Sequence, residues 1–221
     1  WYPSKKNLIN KKGIPKYLTF LKLLLLNLLT SFITDAFIFG EYYKSRPYRF
    51  LFPLKPFIYS TYYPGLNYIE YRTPRLLPGK LRLSYSGKIS REKGFINFIN
   101  VINRLSSICK SLKINVKITG WFESDEDKKE CEIFLQNKNT NINFTIEDKQ
   151  KFIEYVNHLY ETDIFIDLRE DDHENQYCLP IRLFCYVASG RPVIFSDLKA
   201  IRKEVKTEKF GFLVKPRQTE V

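Results

Sequence analysis

Two lysines five residues apart, in a turn bounded by glycines, are the residues of this chain best suited to chemistry. Segment 87–94 reads Gly-Lys-Ile-Ser-Arg-Glu-Lys-Gly and lies between a strand pattern at 81–86 and a helical pattern at 94–112. Such a turn presents free backbone N–H groups and the positive end of a helix at one point. Because Lys88 and Lys93 can both reach an anion there, the spacing predicts a diphosphate site. A solvated basic turn is the alternative interpretation.

The elements that would position this turn alternate along the chain. Apolar strand patterns are followed by helical ones, and Pro180 and Gly190 bound a helix that leads into the strand 192–195. Nearly continuous apolar strands indicate a parallel sheet with helices on both faces. The predicted strands are 81–86, 114–119, 142–146, 163–168, 192–195 and 212–214, and the main helices are 94–112, 124–136, 149–160, 180–189 and 199–206. The sequence therefore predicts an α/β fold with a Rossmann-like parallel sheet.

Two further groups of residues follow strand ends, where such sheets bind ligands. Gly120 would let a ligand approach the backbone, and Trp121 offers a stacking face or fills a domain interface. In the polar segment 169–179, Glu174 and Asn175 are suited to sugar hydroxyls, although a hydrated loop has the same composition. His173 in that loop has no evident partner for catalysis.

The composition restricts the partners and the compartment. The net charge is +12, which favours nucleotide phosphates, an acidic membrane surface or nucleic acid, although a basic solvated surface gives the same number. The four cysteines show no Cys-x-x-Cys spacing, so we expect no zinc site and reduced thiols in a cytoplasmic protein.

The first part of the chain has a different character. Segment 15–34 is helical and mostly apolar, but its uninterrupted apolar runs are too short to span a membrane, so we expect a buried helix. Prolines are dense from 41 to 78, which predicts irregular structure and short strands. The interleaved Tyr and Arg at 42–49 could stack on single-stranded nucleic acid, or pack against a neighbouring domain. We expect a boundary between 1–78 and 79–221 in a piece of a longer protein.

Region 81–216 resembles the donor-binding half of the retaining GT-B glycosyltransferases, the group known as group 1 or family four. That group combines Gly-Lys or Gly-Arg with a following Lys-Gly, a strand ending in Gly, and the segments Ala-x-Gly-x-Pro-Val-Ile and Gly-x-Leu-Val-x-Pro. The matching residues here are Gly87-Lys88, Lys93-Gly94, Gly120, Ala188-Ser189-Gly190-Arg191-Pro192-Val193-Ile194 and Gly211-Phe212-Leu213-Val214-Lys215-Pro216.

The resemblance implies a metal-independent, retaining transfer of a sugar from a UDP- or GDP-linked donor, which is a substrate rather than a cofactor. The acceptor would be a glycan or a lipid-linked glycan in polysaccharide biosynthesis, in the cytoplasm or at the inner face of an anionic membrane, and no nucleic acid is expected. Lys88 and Lys93 would be the catalytic residues on the diphosphate. The residues implied for donor binding are Gly87, Gly94, Gly120, Trp121, Glu174, Asn175, Tyr177, Pro180, Arg182 and Cys185. Residues 1–78 would be the end of an acceptor domain and the interdomain linker.

The sequence departs from the group at one important pair of positions. Two glutamates eight residues apart usually contact the donor, and this chain has Tyr177 and Cys185 there. A thiol cannot accept ribose hydrogen bonds as a carboxylate does. Two alternatives to an active enzyme therefore remain: a non-catalytic relative that binds nucleotide-sugars or glycans, and a basic protein that binds nucleic acid or a membrane surface.

Overall fold

The computed structural model describes residues 13–60, 68–136, 140–205 and 209–216. The chain forms two compact units, Trp1–Thr61 and Tyr62–Val221. The units divide at 61/62 rather than at 78/79, because the segment from Tyr68 onward packs on the second unit. The Glu70 N–H donates to the Tyr160 hydroxyl at 2.7 Å, and the Arg72 guanidinium lies 4.0 Å from the centre of the Tyr160 ring.

The first unit contains two helices and two short strands. They are α1 (Ile14–Ile33), β1 (Phe37–Phe39), α2 (Tyr42–Leu51) and β2 (Phe57–Tyr59). The strands pair in parallel, with Phe37 opposite Phe57.

The prediction of irregular structure from 41 onward is wrong for α2, which contains Pro47 in its interior. A proline there removes one helical hydrogen bond. Tertiary contacts offset that loss, because the Tyr48 ring packs 5.4 Å from Phe37 and 5.2 Å from Phe39. Phe52 of this stretch is buried, and Tyr48 packs beside it on Phe37 in the apolar core of the unit.

Helix α1 forms where the sequence predicts it, but the expected burial is wrong. Ser31 is the one buried residue of its 20, and large apolar side chains such as Leu21 and Leu25 are exposed. The helix is apolar on two faces, whereas the described part of the first unit covers one of them. By length and composition alone, α1 would also be long and apolar enough to cross a membrane.

The second unit is a six-stranded sheet with helices on both faces, as predicted. Its strands are all parallel and follow the order β5-β4-β3-β6-β7-β8. The elements are β3 (Lys80–Ile89), α3 (Phe95–Ile108), β4 (Lys113–Phe122), α4 (Asp125–Gln136), β5 (Ile142–Asp148), α5 (Phe152–Tyr160), β6 (Ile164–Asp167), α6 (His173–Gln176), α7 (Ile181–Ala188), β7 (Val193–Ser196), α8 (Lys199–Glu204) and β8 (Gly211–Val214). A short 3-10 turn at Arg91–Lys93 precedes α3.

Alternation along β3 divides the core between the two faces of the sheet. Leu83 and Tyr85 belong to an apolar cluster with residues of α3 and β4. A second cluster contains residues of α5, β6, α7 and β7, including Phe165 and Tyr186, whose rings stack with centres 3.8 Å apart. Both faces of the sheet are covered. Strands β6 and β7 are short apolar runs, as expected for strands buried on both faces, whereas β3 and β4 alternate apolar and polar residues.

A polar group is buried beneath α5, on the face of β3 opposite Tyr85. His158 Nδ1 lies 2.9 Å from the Thr119 hydroxyl, and Nε2 lies 3.0 Å from the Ser84 hydroxyl. The His158 side chain is almost fully buried. Burial, with a smaller contribution from the charge of Lys117 and against that of Glu161, lowers the pKa of His158 from 6.5 to about 4.

The buried His158 predicts a loss of stability in mild acid. The folded state holds the imidazole neutral, whereas the unfolded chain protonates it near pH 6.5. The stabilisation is therefore complete above pH 6.5 and disappears as the pH falls to about 4, an effect on the order of 3 kcal/mol. Urea unfolding at pH 7.5 and pH 4.5 should show a smaller loss in His158→Gln than in the wild type. Equal losses in His158→Gln and in the wild type would contradict the prediction.

Candidate functional site

The strand order places a crevice at the carboxyl ends of β3 and β6. The chain passes from β3 through α3 to β4 on one side, and from β6 to β7 on the other, so the direction of winding reverses between β3 and β6. In doubly wound sheets, ligands bind at this reversal. The turn after β3, the end of β4 and the loop after β6 all meet this edge, and they carry the candidate residues of the sequence.

Two close approaches of backbone explain the glycines at this edge. Gly94 has a φ of +80°, and a Cβ there would lie 2.0 Å from the Leu168 carbonyl oxygen, so only glycine lets α3 begin against the end of β6. At Gly120 a Cβ would lie 1.8 Å from the Gly87 carbonyl oxygen. Gly120 does not end its strand, since it pairs with Gly87 inside the β3–β4 ladder. In this structure the backbone of the neighbouring strand β3, at Gly87, approaches Gly120 closely.

Tyr85 and Arg182 fix the position of segment 87–94, called the lysine turn from here on. The Tyr85 hydroxyl donates to the carbonyl oxygens of Lys88 and Lys93 at 2.7 and 3.1 Å. The Arg182 guanidinium lies 5.2 Å from the centre of the Tyr85 ring and also reaches the Lys93 carbonyl oxygen at 3.5 Å. Burial raises the pKa of Tyr85, so its proton is retained for these bonds. The shape of the turn is thus fixed by the core.

Strand β3 extends past the predicted end at residue 86, so Lys88 lies in the strand, whereas Lys93 lies in the 3-10 turn that follows. Each of the two lysines is mostly covered and faces a carboxylate. The side chain of Lys88 is 15% exposed and forms an ion pair with Glu123, which follows β4. The side chain of Lys93 is 16% exposed, with its ammonium 3.9 Å from the Glu174 carboxylate and 3.4 Å from the Asn175 side-chain oxygen. The two ammonium groups therefore have counter-ions from different loops of the same sheet edge.

Asp167, at the end of β6, is the most deeply buried charge of the site. Arg182 donates to its two oxygens at 2.5 and 2.8 Å, and the Arg169 side chain donates at 3.2 Å. Burial alone would raise the pKa of Asp167, but the charges of Arg169 and Arg182 hold it below its ordinary value. Arg182 also donates to the Ser86 carbonyl oxygen, so it links the ends of β3 and β6.

This arrangement changes the part expected of Arg182. Sequence reasoning placed it in the cleft as a donor-binding residue, and that role stays a prediction. In the structure its side chain is 14% exposed and its guanidinium is bonded to Asp167 and to backbone oxygens. Sequence reasoning missed Asp167 and Arg169 altogether. The available signal was an acidic residue that closes an apolar strand and is followed two positions later by arginine.

The loop after β6 is organised around Asn175. Its buried amide donates to the Glu92 carbonyl oxygen at 2.9 Å and to the Asp172 carboxylate at 2.7 Å, which joins the loop to the lysine turn. Glu174 is half-exposed beside it. Tyr177 lies against Lys199, whose ammonium is 5.4 Å from the ring centre, and Pro180 is buried at the start of α7. The structure thus brings Glu174 and Asn175 beside Lys93.

Trp121 and Cys185 have contrasting surroundings. Trp121 is 48% exposed at the end of β4, with the Lys149 ammonium 5.6 Å from its ring centre, so a stacking face is present. Cys185 is buried in the apolar cluster of α7, and burial raises the pKa of its thiol to about 11. At neutral pH this thiol is protonated and cannot replace a carboxylate. Among the described residues, no group of three or more His, Cys, Asp and Glu could hold a metal ion.

Comparison with known proteins relates this fold to glycosyltransferases. No family model matches the chain, and no curated protein matches its sequence. Solved structures do match. TarM has a TM-score of 0.62 and 13% sequence identity, and the match covers 86% of this chain and 35% of TarM. The sucrose-phosphate synthase of Thermosynechococcus elongatus has a TM-score of 0.63 and 12% identity, with 87% of this chain and 49% of that one covered, and the Anabaena protein HepE in complex with UDP has a TM-score of 0.59 and 12% identity, with 85% and 51% covered.

These likenesses establish the fold. The second unit has the parallel sheet, covered on both faces, of the C-terminal Rossmann-like domain of GT-B glycosyltransferases. The chain spans between about a third and a half of the length of the three structures.

The Asp167 cluster gives a prediction about stability. Arg182→Leu leaves the buried carboxylate with Arg169 alone, and breaking a buried ion pair from one side costs about 3–5 kcal/mol. Arg202→Leu removes a similar pair, Arg202 with Asp197 at 2.7 Å, in which the arginine is largely exposed, so it should cost less than about 1 kcal/mol. Urea unfolding of the two variants measures the difference. Equal losses would show that the cluster contributes no more than a surface pair.

Proposed function

We propose that this chain carries the donor-binding half of a glycosyltransferase that moves a sugar from a nucleotide-sugar to a glycan or lipid-linked acceptor, with retention. The observation that carries the proposal is the pair of covered lysines, Lys88 at the end of β3 and Lys93 in the turn after it, at the reversal point of a sheet with this fold. That the matched HepE structure contains UDP adds support. The same edge of the sheet would hold the nucleoside diphosphate, UDP or GDP, in this protein.

The lysines and the start of α3 would bind the diphosphate without a metal ion. The first turn of α3 contains no acidic residue and has no side-chain cap, so its N–H groups remain suited to an anion. The phosphates would compete with Glu123 and Glu174 for the two ammonium groups. Negative charge grows on the leaving diphosphate as the sugar bond breaks, and positive groups fixed beforehand stabilise it. A phosphate oxygen of the donor would help to take the proton from the acceptor hydroxyl.

The remaining predicted residues would surround the sugar and the nucleoside. Glu174 and Asn175 lie beside Lys93 and are suited to sugar hydroxyls, with Tyr177 and Pro180 next to them. Trp121 would offer its exposed face to a ring of the donor. We place the reaction in the cytoplasm, in polysaccharide biosynthesis, following the resemblance.

Cys185 favours a second candidate function, a relative that binds nucleotide-sugars without transferring them. The usual carboxylate at this position is replaced by a buried, protonated thiol. Ribose recognition would then depend on other groups of the edge. Turnover of a labelled nucleotide-sugar by the complete protein separates the candidates, because a binder would retain the nucleotide-sugar and release no free nucleoside diphosphate.

The lysine turn gives the direct test of donor binding. Lys93→Ala removes one charge-assisted contact to the diphosphate and should weaken UDP or GDP binding by about 1.5–3 kcal/mol, roughly 10- to 100-fold. Lys110→Ala is the matched control, since Lys110 is exposed in the turn before β4, at the opposite edge of the sheet. Titration calorimetry measures both variants against the wild type. Unchanged affinity in Lys93→Ala, or an equal loss in Lys110→Ala, would contradict the assignment of the site.

A further inference from the structure

Two arginines accompany a single buried carboxylate at the end of β6. The Asp167 side chain forms ion pairs with Arg169 and with Arg182, and among the described residues Arg169 has no other acidic partner. Arg169 is 6% exposed, and a charge buried to this extent is normally paired, because burying it without a counter-ion is costly. One positive charge of this cluster therefore has no counter-ion within it.

The two arginines differ in how fully their N–H groups are used. Arg182 donates through all three of its nitrogens, to both oxygens of Asp167 and to two backbone carbonyl oxygens. Arg169 donates through Nε alone, to Asp167 at 3.2 Å. Within the described parts of the chain, the Nη1 and Nη2 groups of Arg169 have no acceptor, although the guanidinium lies 5.8 Å from the centre of the Phe195 ring. Arg182 alone already satisfies both oxygens of the carboxylate.

The Nη groups of Arg169 keep some contact with solvent. Among the described residues, the fully enclosed side-chain atoms without a partner include Arg191 Nε but neither Nη1 nor Nη2 of Arg169. Arg169 follows β6 at its carboxyl end, which is the edge of the sheet that holds the crevice between β3 and β6. A ligand in the crevice can therefore reach these groups.

Arg169 adjoins both the lysine turn and the loop that carries the residues proposed for the sugar. A Cβ at Gly94, just before α3, would lie 2.9 Å from the Arg169 backbone nitrogen. On the other side, the Asn175 amide donates at 3.3 Å to the carbonyl oxygen of Glu170, the residue after Arg169. A donor with its diphosphate at the start of α3 and its sugar beside Asn175 would thus pass close to Arg169.

The charges of a donor indicate which of its groups Arg169 would meet. The diphosphate of a nucleotide-sugar carries one negative charge on each phosphate, and Lys88 and Lys93 supply one ammonium group for each. A donor with a neutral sugar has no further anionic group for Arg169. A uronic acid has one, the carboxylate of the sugar. The two Nη groups of a guanidinium form a planar fork that matches the two oxygens of a carboxylate.

We propose that the donor carries an acidic sugar, a uronic acid, and that its carboxylate binds the Nη1 and Nη2 groups of Arg169. This inference rests on the proposed function, because it assigns the sugar of the same nucleotide-linked donor. Asp167 holds Arg169 through Nε and so orients the fork before the donor binds. Arg182 fixes Asp167 in turn, through both carboxylate oxygens.

Two other roles of Arg169 fit these contacts less well. As a counter-ion of Asp167 alone, Arg169 would add one bond to a carboxylate that Arg182 already satisfies, and its Nη groups would stay unused. As a further cation on the diphosphate, it would duplicate two lysines and the start of α3. A carboxylate on the sugar uses the Nη groups and duplicates no contact of the proposed site.

Titration calorimetry of the full chain with UDP-glucuronate and UDP-glucose tests the inference, since the first donor has a carboxylate where the second has a hydroxymethyl group. The wild type should bind UDP-glucuronate on the order of 10- to 100-fold more tightly. Arg169→Gln should bring the ratio of the two affinities close to one. Arg169→Lys keeps the charge beside Asp167 but lacks the fork, so it should keep part of the preference. Arg191→Gln is the matched control, a buried arginine before β7 at the opposite edge of the sheet, and should keep all of it.

The ratio is measured with one protein sample, so a variant that is partly unfolded does not distort it. The inference is overturned if the wild type shows no preference for UDP-glucuronate, or if Arg169→Gln keeps the preference. It is also overturned if Arg169→Gln weakens UDP and both donors equally, as a contact to the diphosphate or a purely structural role would. Lys93→Ala should weaken both donors and leave their ratio unchanged. A wild type that binds UDP without preferring either donor leaves the proposed function standing, whereas one that binds no UDP overturns both.

Discussion

The ion pair between Asp167 and Arg182 is the interaction on which the architecture of the second unit depends. It lies where the sheet reverses its direction of winding, and it connects the ends of β3 and β6. Arg182 also donates to the Ser86 and Lys93 carbonyl oxygens, so the ion pair helps to fix the position of the lysine turn. A buried carboxylate is stable only with such partners. The Arg182 guanidinium therefore forms its hydrogen bonds with groups of the protein itself.

Most charges at the candidate site have a partner before any ligand arrives. Lys88 faces Glu123, Lys93 faces Glu174, and Asp167 lies between two arginines. The excess positive charge of the chain is located mainly in the first unit, beside an apolar helix that is exposed. Most of the net charge of the chain therefore lies outside the segment that carries the candidate site.

Much of the fold could be predicted because its signals are local. Strands β6 and β7 are short apolar runs, β3 and β4 alternate apolar and polar residues, and the helices between the strands have apolar residues every three or four positions, so the α/β order followed directly. The errors arose where tertiary contacts overrule a local rule. Pro47 lies inside a helix because Tyr48 packs on Phe37 and Phe39. Gly120 lies inside its strand because β4 continues to pair with β3 there, and the residue is glycine because the Gly87 carbonyl oxygen occupies the space of a side chain.

The sequence by itself determined the order of the main strands and helices of the second unit, that they build a parallel sheet, and that two lysines lie at the end of β3 and in the turn after it. These properties depend on residue type and spacing along the chain. Only the tertiary structure decided that Arg182 pairs with Asp167, that each lysine faces a carboxylate, and that α1 leaves an apolar face exposed. Such contacts join residues that are distant in sequence, or depend on which faces neighbouring elements cover. No pattern along one segment contains that information.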